Sequence, residues 1–200
     1  ADYCHRKLVY LLNVPPPERP KGKEALKAQL LKESEEDYLV AQERTVGMSC
    51  AVCTLSIIRF LTDHLASLPL AVTARILDTY DLLMLLGPLL ELKPWQATSE
   101  DGEMRRFANG QWVRVPDGET HKLPKCEIQA WLAVHNLVCD PNVRRRYQFN
   151  SFRKNVLLRL RGFLHESVVD QIPVLVDLQR SLDEMTLSEA PNAAEGKPAY

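Results

Sequence analysis

The sequence predicts an all-α fold, an armadillo- or HEAT-like helical stack with one small β-hairpin insert. Apolar residues recur at helical spacing through most of the 200 residues. The helical segments are joined by short loops, as in stacked helical arrays. One dipeptide, Asn109-Gly110, stands between two short alternating segments. Because Asn-Gly favours the type I′ turn, it predicts the hairpin.

The helical segments follow one another along the chain, with one interruption by turn-rich sequence. We predict them over residues 1–12, 24–46, 49–68, 70–92, 125–138, 143–166 and 172–185. Gly47 divides or kinks the second and third segments. The segment 70–92 is predicted as two short helices, with Asp81 as N-cap of the second and a break at Gly87-Pro88.

We expect residues 1–188 to form a single helical domain. Within it, residues 13–23 form a proline-rich loop and residues 93–122 contain the hairpin insert. Residues 189–200 lack apolar periodicity and are expected to be a disordered tail.

One helical segment, residues 151–166, favours a stack of helices. Most of its apolar residues share one face, yet Leu158 points the opposite way. Apolar residues on both sides suit a helix held between two neighbours. No segment recurs at a period of about 40 residues, as a regular array would require. The residues that share the face are Phe152, Val156, Leu157, Leu160, Phe163 and Leu164.

Composition excludes several classes of protein. The net charge of −1 gives no overall attraction to nucleic acid or an anionic membrane. No apolar run approaches the roughly 20 residues of a membrane span, so we expect a soluble chain. Five cysteines without regular spacing do not suggest a disulfide framework and fit a reducing, cytoplasmic setting. The chain begins at Ala1 without a signal-peptide pattern, so we expect a piece of a longer protein.

Cys50 and Cys53 form a C-x-x-C, for which three uses are open. Zinc needs four ligands, but Cys126 and Cys139 would lie roughly 20 Å apart on one helix. A redox dithiol would require Ser49 to cap a helix at Cys50, where amide dipoles lower the thiol pKa. The spacing favours the third use, in which both thiols are buried on an apolar helix face. That face would also carry Val46, Ile57, Phe60 and His64.

No pattern in the sequence indicates an enzyme. His135 lies within an apolar helical stripe, and no carboxylate or cysteine stands at a spacing that would orient it. Catalytic carboxylate pairs, G-x-S-x-G, glycine-rich phosphate loops and H-E-x-x-H are absent from the sequence. We therefore expect a non-enzymatic protein.

The strongest charge feature is a run of bases interleaved with aromatic residues. Such a run can bind a phosphate backbone or an acidic protein partner. The alternative is a solvated helix edge whose aromatic residues face the core, and the nearly neutral net charge favours it. The bases are Arg144, Arg145, Arg146, Arg153, Lys154, Arg159 and Arg161, and the aromatic residues are Tyr147, Phe149 and Phe152.

Two tryptophans, Trp95 and Trp112, fall in the hairpin region. We favour a role in sealing the hairpin onto the helices, because an inserted hairpin has few other means of burying its surface. The other possibility is an exposed aromatic contact surface. Buried aromatic and arginine anchors dominate protein interfaces. The candidate partner anchors are therefore Trp95, Trp112, Arg144, Arg145, Arg146, Arg153 and Arg161.

Five stretches resemble, in order, the middle region of a known family, the MYND zinc-finger class of axonemal dynein arm preassembly factors. They are DYCHRKL, FANGQWVRV, QAWLAVHNL, RRYQFNSFRKNVLLRLRGFL and DQIPVLVDLQRSL. The resemblance covers most of residues 1–12 and 50–188. None of the five stretches is a catalytic motif.

The resemblance implies a cytoplasmic scaffold or adaptor for the assembly of axonemal dynein arms of motile cilia. Its expected partners are a leucine-rich-repeat dynein assembly factor, an Hsp90-type chaperone, an immunophilin co-chaperone and dynein arm subunits, with no membrane partner. Zinc is expected only in the C-terminal MYND finger, whose dense cluster of seven cysteines and a histidine has no counterpart here. We therefore expect no cofactor in this segment. The alternative is a helical module that binds RNA or an acidic partner through the bases from Arg144 to Arg161.

Overall fold

A computed structural model describes residues 1–15, 34–98 and 102–187 of the chain. These residues form nine α-helices and three β-strands. The helices are α1 (Asp2–Asn13), α2 (Glu35–Asp63), α3 (Leu70–Ala74), α4 (Leu82–Leu92), α5 (Lys125–Cys139), α6 (Pro141–Arg146), α7 (Ser151–Leu160), α8 (Glu166–Gln171) and α9 (Leu175–Leu187). The strands are β1 (Gln96–Thr98), β2 (Met104–Ala108) and β3 (Gln111–Arg114). The predicted mostly α-helical fold with a small β insert is confirmed, whereas the armadillo- or HEAT-like order of stacking stays a prediction.

Helix α5 lies at the centre of the packing. It contacts α2, α4 and α9, and its Trp131, Val134 and Leu137 have no exposed surface. Each large apolar side chain buried in this way stabilises the fold by about 1.5–3 kcal/mol. Small residues at Ala130 and Ala133, also fully buried, let the neighbouring helices approach closely. The other helices are therefore positioned around α5.

Helix α2 is one continuous helix of 29 residues, which corrects the predicted division at Gly47. It starts with a capping box in which Ser34 and Asp37 exchange hydrogen bonds. A Cβ at Gly47 would lie 3.0 Å from Tyr10 Oη, so this glycine permits the close approach of α1. Ser49 lies in mid-helix and donates to the Thr45 carbonyl at 2.8 Å, so it caps nothing.

Helix α4 also corrects a prediction, because it runs unbroken through Gly87-Pro88. Position 87 faces α7 so closely that a Cβ would meet Val156 Cγ1 at 2.8 Å. Asp81 precedes the helix, as predicted, but its side chain makes no capping hydrogen bond. It adopts a left-handed φ of 42° and turns toward α6 and α7 instead.

The β insert is a three-stranded antiparallel sheet in the order β1-β2-β3. The predicted hairpin is its β2–β3 half. Ala108 pairs with Gln111 around the turn, and Asn109 and Gly110 have φ values of 52° and 79°. Positive φ at both central positions is what a type I′ turn requires.

Three predictions fall wholly or mainly on residues outside the described ranges. These are the proline-rich loop beyond Pro15, the part of the predicted second helix at 24–33, and the tail at 189–200. One helix in the described part of the chain, α2, is long and apolar enough to cross a membrane by length and composition alone. The expectation that no apolar segment approaches the length of a membrane span is therefore wrong. One side of α2 packs on α1 and α5.

Candidate protein-binding surface

The side of α2 that faces away from α1 and α5 carries an apolar stripe. Val46, Ile57 and Phe60 are 57%, 45% and 61% exposed, and Cys53 is exposed between them. We call these four residues the α2 stripe. The opposite side of the helix carries the buried residues Met48, Ala51, Thr54, Leu55, Ile58 and Thr62. The prediction that Cys50 and Cys53 face inward is therefore wrong, because the core takes the other face.

The C-x-x-C pair shows neither of the features that its functional uses require. Cys50 is half-buried and Cys53 is exposed, and both lie in the middle of α2, far from the helix N-terminus at which the redox use would place them. Within the described ranges, no three His, Cys, Asp or Glu side chains are grouped closely enough to hold a metal ion. His64 follows the helix, is exposed, and its Nδ1 lies 2.9 Å from the Phe60 carbonyl.

Most of the predicted arginine anchors form ion pairs with carboxylates of this same chain. Each pair joins two segments that are distant in sequence, at N–O distances of 2.6–3.1 Å. The pairs are Arg144–Glu184, Arg146–Asp78, Arg153–Asp81, Arg159–Glu91 and Arg161–Asp183. Five carboxylates therefore offset five of the bases, and the segment offers little net charge to a polyanion. The alternative of a module that binds RNA or an acidic partner through Arg144 to Arg161 stays a prediction.

The centre of this network is a half-buried cluster around Asp81. Its carboxylate accepts hydrogen bonds from Tyr147 Oη and Arg153 Nε, at 2.5 and 2.9 Å. The Arg153 guanidinium also lies over the Tyr147 ring, 4.3 Å from its centroid. Burial and then the neighbouring Asp81 carboxylate raise the pKa of Tyr147 well above its ordinary value. The phenol is thus held as a neutral donor, and the cluster fastens α6 and α7 to the start of α4.

The arginines differ in what remains open to a partner. Arg153 has 22% of its side chain exposed and belongs to the Asp81 cluster. Arg144, Arg146 and Arg161 keep 42%, 37% and 56% exposure, but each is held by a carboxylate. All four therefore make contacts within the fold, and their role as partner anchors stays a prediction. Arg145 donates to Pro141 O and Asn142 Oδ1 on its own helix, and its candidacy stays a prediction.

Trp95 is a structural residue and not a surface anchor. It has no exposed surface, and its Nε1 donates to Glu127 Oε2 at 3.2 Å. The Glu127 carboxylate, itself 1% exposed, also pairs with Lys93 Nζ at 2.7 Å. This buried group joins the end of α4 to α5, so Trp95 cannot reach a partner.

Trp112 packs on the inner face of the sheet. Its ring meets that of Phe107 edge-on, with centroids 5.6 Å apart, and Phe107 is buried in the core. The favoured role of the two tryptophans, sealing the insert onto the helices, matches this geometry. Trp112 remains partly exposed at the margin of the sheet.

The sequence predicts the apolar face that forms the α2 stripe but places it in the core, because both sides of α2 are apolar. A helical-wheel projection cannot tell which of two apolar faces packs inward. One signal could have decided it: the small residues Gly47, Ala51 and Thr54 share a single face, where neighbouring helices can approach closely. Phe152 was misassigned in the same way and is 68% exposed on α7.

The fold and its surfaces define a class, a mostly α-helical domain with a small antiparallel sheet and an exposed apolar helix face. The chain is 32% identical over 153 residues to the zinc finger MYND domain-containing protein 10 homolog of Drosophila melanogaster, an alignment that covers 76% of this chain. On this similarity, the chain belongs to the family of zinc finger MYND domain-containing protein 10. The alignment spans about a third of that relative, 32% of its length. No family model matches the chain, and no solved structure matches it significantly.

Proposed function

We propose that this chain is a non-enzymatic scaffold or adaptor domain that binds proteins during the cytoplasmic assembly of axonemal dynein arms. The family relationship supports the assembly role, through the dynein-assembly function implied by the sequence resemblance. The observation that carries the binding role is the α2 stripe, whose large apolar side chains lie open to solvent. A contiguous exposed apolar surface is typical of protein interaction sites.

The proposed partners are those implied by the sequence resemblance. They are a leucine-rich-repeat dynein assembly factor, an Hsp90-type chaperone, an immunophilin co-chaperone and dynein arm subunits. In this proposal Ile57 and Phe60 supply the affinity, because large apolar side chains that lose their water on binding dominate interface energies. Zinc belongs to the MYND finger of the full-length protein and takes no part in this surface.

Affinity capture from ciliating cells tests the proposal. The full-length protein is compared with an Ile57→Asp/Phe60→Asp variant, and the named partner classes are quantified by mass spectrometry. Phe152→Asp is the matched control, because Phe152 is at least as exposed as Ile57 and Phe60 but lies on α7. We expect the stripe variant to lose at least one of these partners by tenfold or more, and the control to retain it. Equal capture by all three proteins, with unchanged helical circular dichroism, would reject the stripe as the binding surface.

A further inference from the structure

A groove of about 540 Å³ separates α2 from the sheet, next to the α2 stripe. Its volume is within the range of roughly 300–1,000 Å³ typical of ligand-binding clefts. Val52 and Cys53 line it from α2, and Val113 and Val115 line it from β3 and the residue that follows. Cys53 belongs to both surfaces, so the groove extends the stripe toward the sheet.

The groove opens beside an edge strand with unused backbone hydrogen-bonding groups. The Val115 N–H donates to Met104 O at 2.9 Å, which fixes the alternation along β3. Gln111 and Val113 therefore bond toward β2, and the N–H and C=O of Trp112 and Arg114 point away from it. Among the described residues, no strand pairs with that side of β3. Such an edge is a template for one more strand.

The side chains of β3 make this edge selective. Because alternate residues share a face of a strand, Val113 and Val115 lie on one face of β3, and Trp112 and Arg114 lie on the other. The two valines line the groove, and Arg114 lines it from the opposite face, as does Phe107 of β2, which packs against Trp112. An added strand would likewise place every second side chain into the groove. The groove walls at Val52, Val113 and Val115 are apolar and suit an aliphatic side chain.

The charges at the groove favour an acidic occupant. Arg106, Arg114 and Lys125 line it, against the single acid Glu119 among its described lining residues. Lys125 is exposed, and the Arg114 side chain is 63% exposed and reaches Glu103 and Asp117 only at 4.0 Å. Glu119 is already engaged by Lys122 Nζ at 2.7 Å. Arg114 therefore lacks a carboxylate as close as those that pair with Arg144, Arg146, Arg153, Arg159 and Arg161.

We propose that the groove binds an extended acidic peptide segment of a partner protein, which adds a strand to the edge of β3. Its backbone bonds to Trp112 and Arg114, alternate aliphatic side chains enter the groove, and its carboxylates face Arg114 and Lys125. Strand addition of this kind takes affinity from main-chain hydrogen bonds and specificity from side-chain pockets. This inference rests on the proposed role of the chain as a protein-binding domain.

The test is fluorescence anisotropy with two labelled octapeptides. One alternates aspartate and valine, and the other alternates lysine and valine. We expect the acidic peptide to bind at least tenfold more tightly than the basic one, with an affinity that falls as salt rises. Arg114→Glu/Lys125→Glu should weaken acidic-peptide binding by tenfold or more. Arg180→Glu, an equally exposed arginine on α9, should leave it unchanged, and circular dichroism confirms that each variant is folded.

Three results of the peptide experiment would overturn the proposal. They are no binding of the acidic peptide up to millimolar concentration, equal binding of both peptides, and unchanged binding by the double variant. Sedimentation and vesicle binding examine other occupants. A dimer broken by Arg114→Glu assigns the groove to a second copy. If the chain binds phosphatidylserine vesicles but no peptide, and the double variant abolishes that binding, the groove is assigned to a lipid surface. Either of these two results contradicts the proposal that a peptide occupies the groove.

The two proposals fail separately. Loss of peptide binding with intact capture of assembly factors would reject only the proposal that the groove binds an acidic peptide. Intact peptide binding with no captured assembly factor would reject only the proposed role in dynein-arm assembly.

Discussion

Tyr147 donates a hydrogen bond of 2.5 Å to the carboxylate of Asp81, which lies 66 residues earlier in the chain. Arg153 joins the same carboxylate from α7. The contact explains why Asp81 tolerates a left-handed φ of 42°, since the strain of that conformation is offset by two charge-assisted partners. It also gives Arg153, one of the bases of this segment, a structural role within the fold.

Removing the phenol tests this cluster. Tyr147→Phe keeps the ring over which Arg153 lies but deletes the hydrogen bond to Asp81. Because hydrogen bonds to charged groups contribute about 1.5–3 kcal/mol, we expect the free energy of unfolding to fall by about that amount in urea denaturation. In a double-mutant cycle with Asp81→Asn the two losses should not add. Fully additive losses would show that the two side chains do not interact.

The arginine pairs should differ in strength according to their burial. Arg153→Ala removes a pair whose side chains are 22% and 24% exposed, and we expect a loss of about 2–4 kcal/mol. Arg161→Ala removes a pair with 56% and 52% exposure and should cost less than about 1 kcal/mol. Thermal unfolding of both variants measures the difference. Equal losses would contradict the assignment of Arg153 to the central cluster.

The contact between α4 and α7 at Gly87 is close enough to exclude a methyl group. A Cβ there would lie 2.8 Å from Val156 Cγ1, so Gly87→Ala should destabilise the chain by about 1–3 kcal/mol. Gly162→Ala is the matched control, because a Cβ at that position meets nothing within 4 Å. Adding Val156→Ala to Gly87→Ala should recover part of the loss. A neutral Gly87→Ala would mean that the two helices are farther apart.

Thiol accessibility tests which face of α2 is exposed, by comparing Cys53 on α2 with Cys126 buried on α5. Cys53 is exposed, whereas burial raises the pKa of the Cys126 thiol to about 12. Iodoacetamide at neutral pH should therefore modify Cys53 in the folded chain and reach Cys126 only after unfolding. Peptide mapping by mass spectrometry gives both rates. Protection of Cys53 equal to that of Cys126 would restore the buried orientation that the sequence suggested.

The same buried thiol predicts a loss of stability in alkaline solution. Since the folded pKa of Cys126 is raised from 9.0 to about 12, the unfolded chain releases this proton first as the pH rises. The free energy of unfolding should be constant with respect to this group below about pH 9 and decline between about 9 and 12. Cys126→Ala should flatten part of that decline. Tyr147, whose pKa is also raised, contributes above about pH 10.

The sequence predicted those parts of the fold that depend on local chemistry. The Asn109-Gly110 turn and helix α5 follow from turn geometry and apolar periodicity, and both were found where expected. The orientation of α2 was not predictable from periodicity, because Leu55 and Ile57 are equally apolar and only packing decides which is buried. The ion pairs were not predictable either, because Arg153 and Asp81 are distant in sequence. The candidate site therefore moved from the arginines to α2.

The most direct test of the central claim is site-specific photo-crosslinking at the α2 stripe. The full-length protein carries p-benzoylphenylalanine in place of Ile57, or in place of Phe152 as the control, and is irradiated in an extract of ciliating cells. We expect crosslinks from position 57, but not from position 152, to a dynein assembly factor, chaperone or dynein arm subunit. Crosslinks to these partner classes from position 152 alone, or from neither position, would contradict that claim.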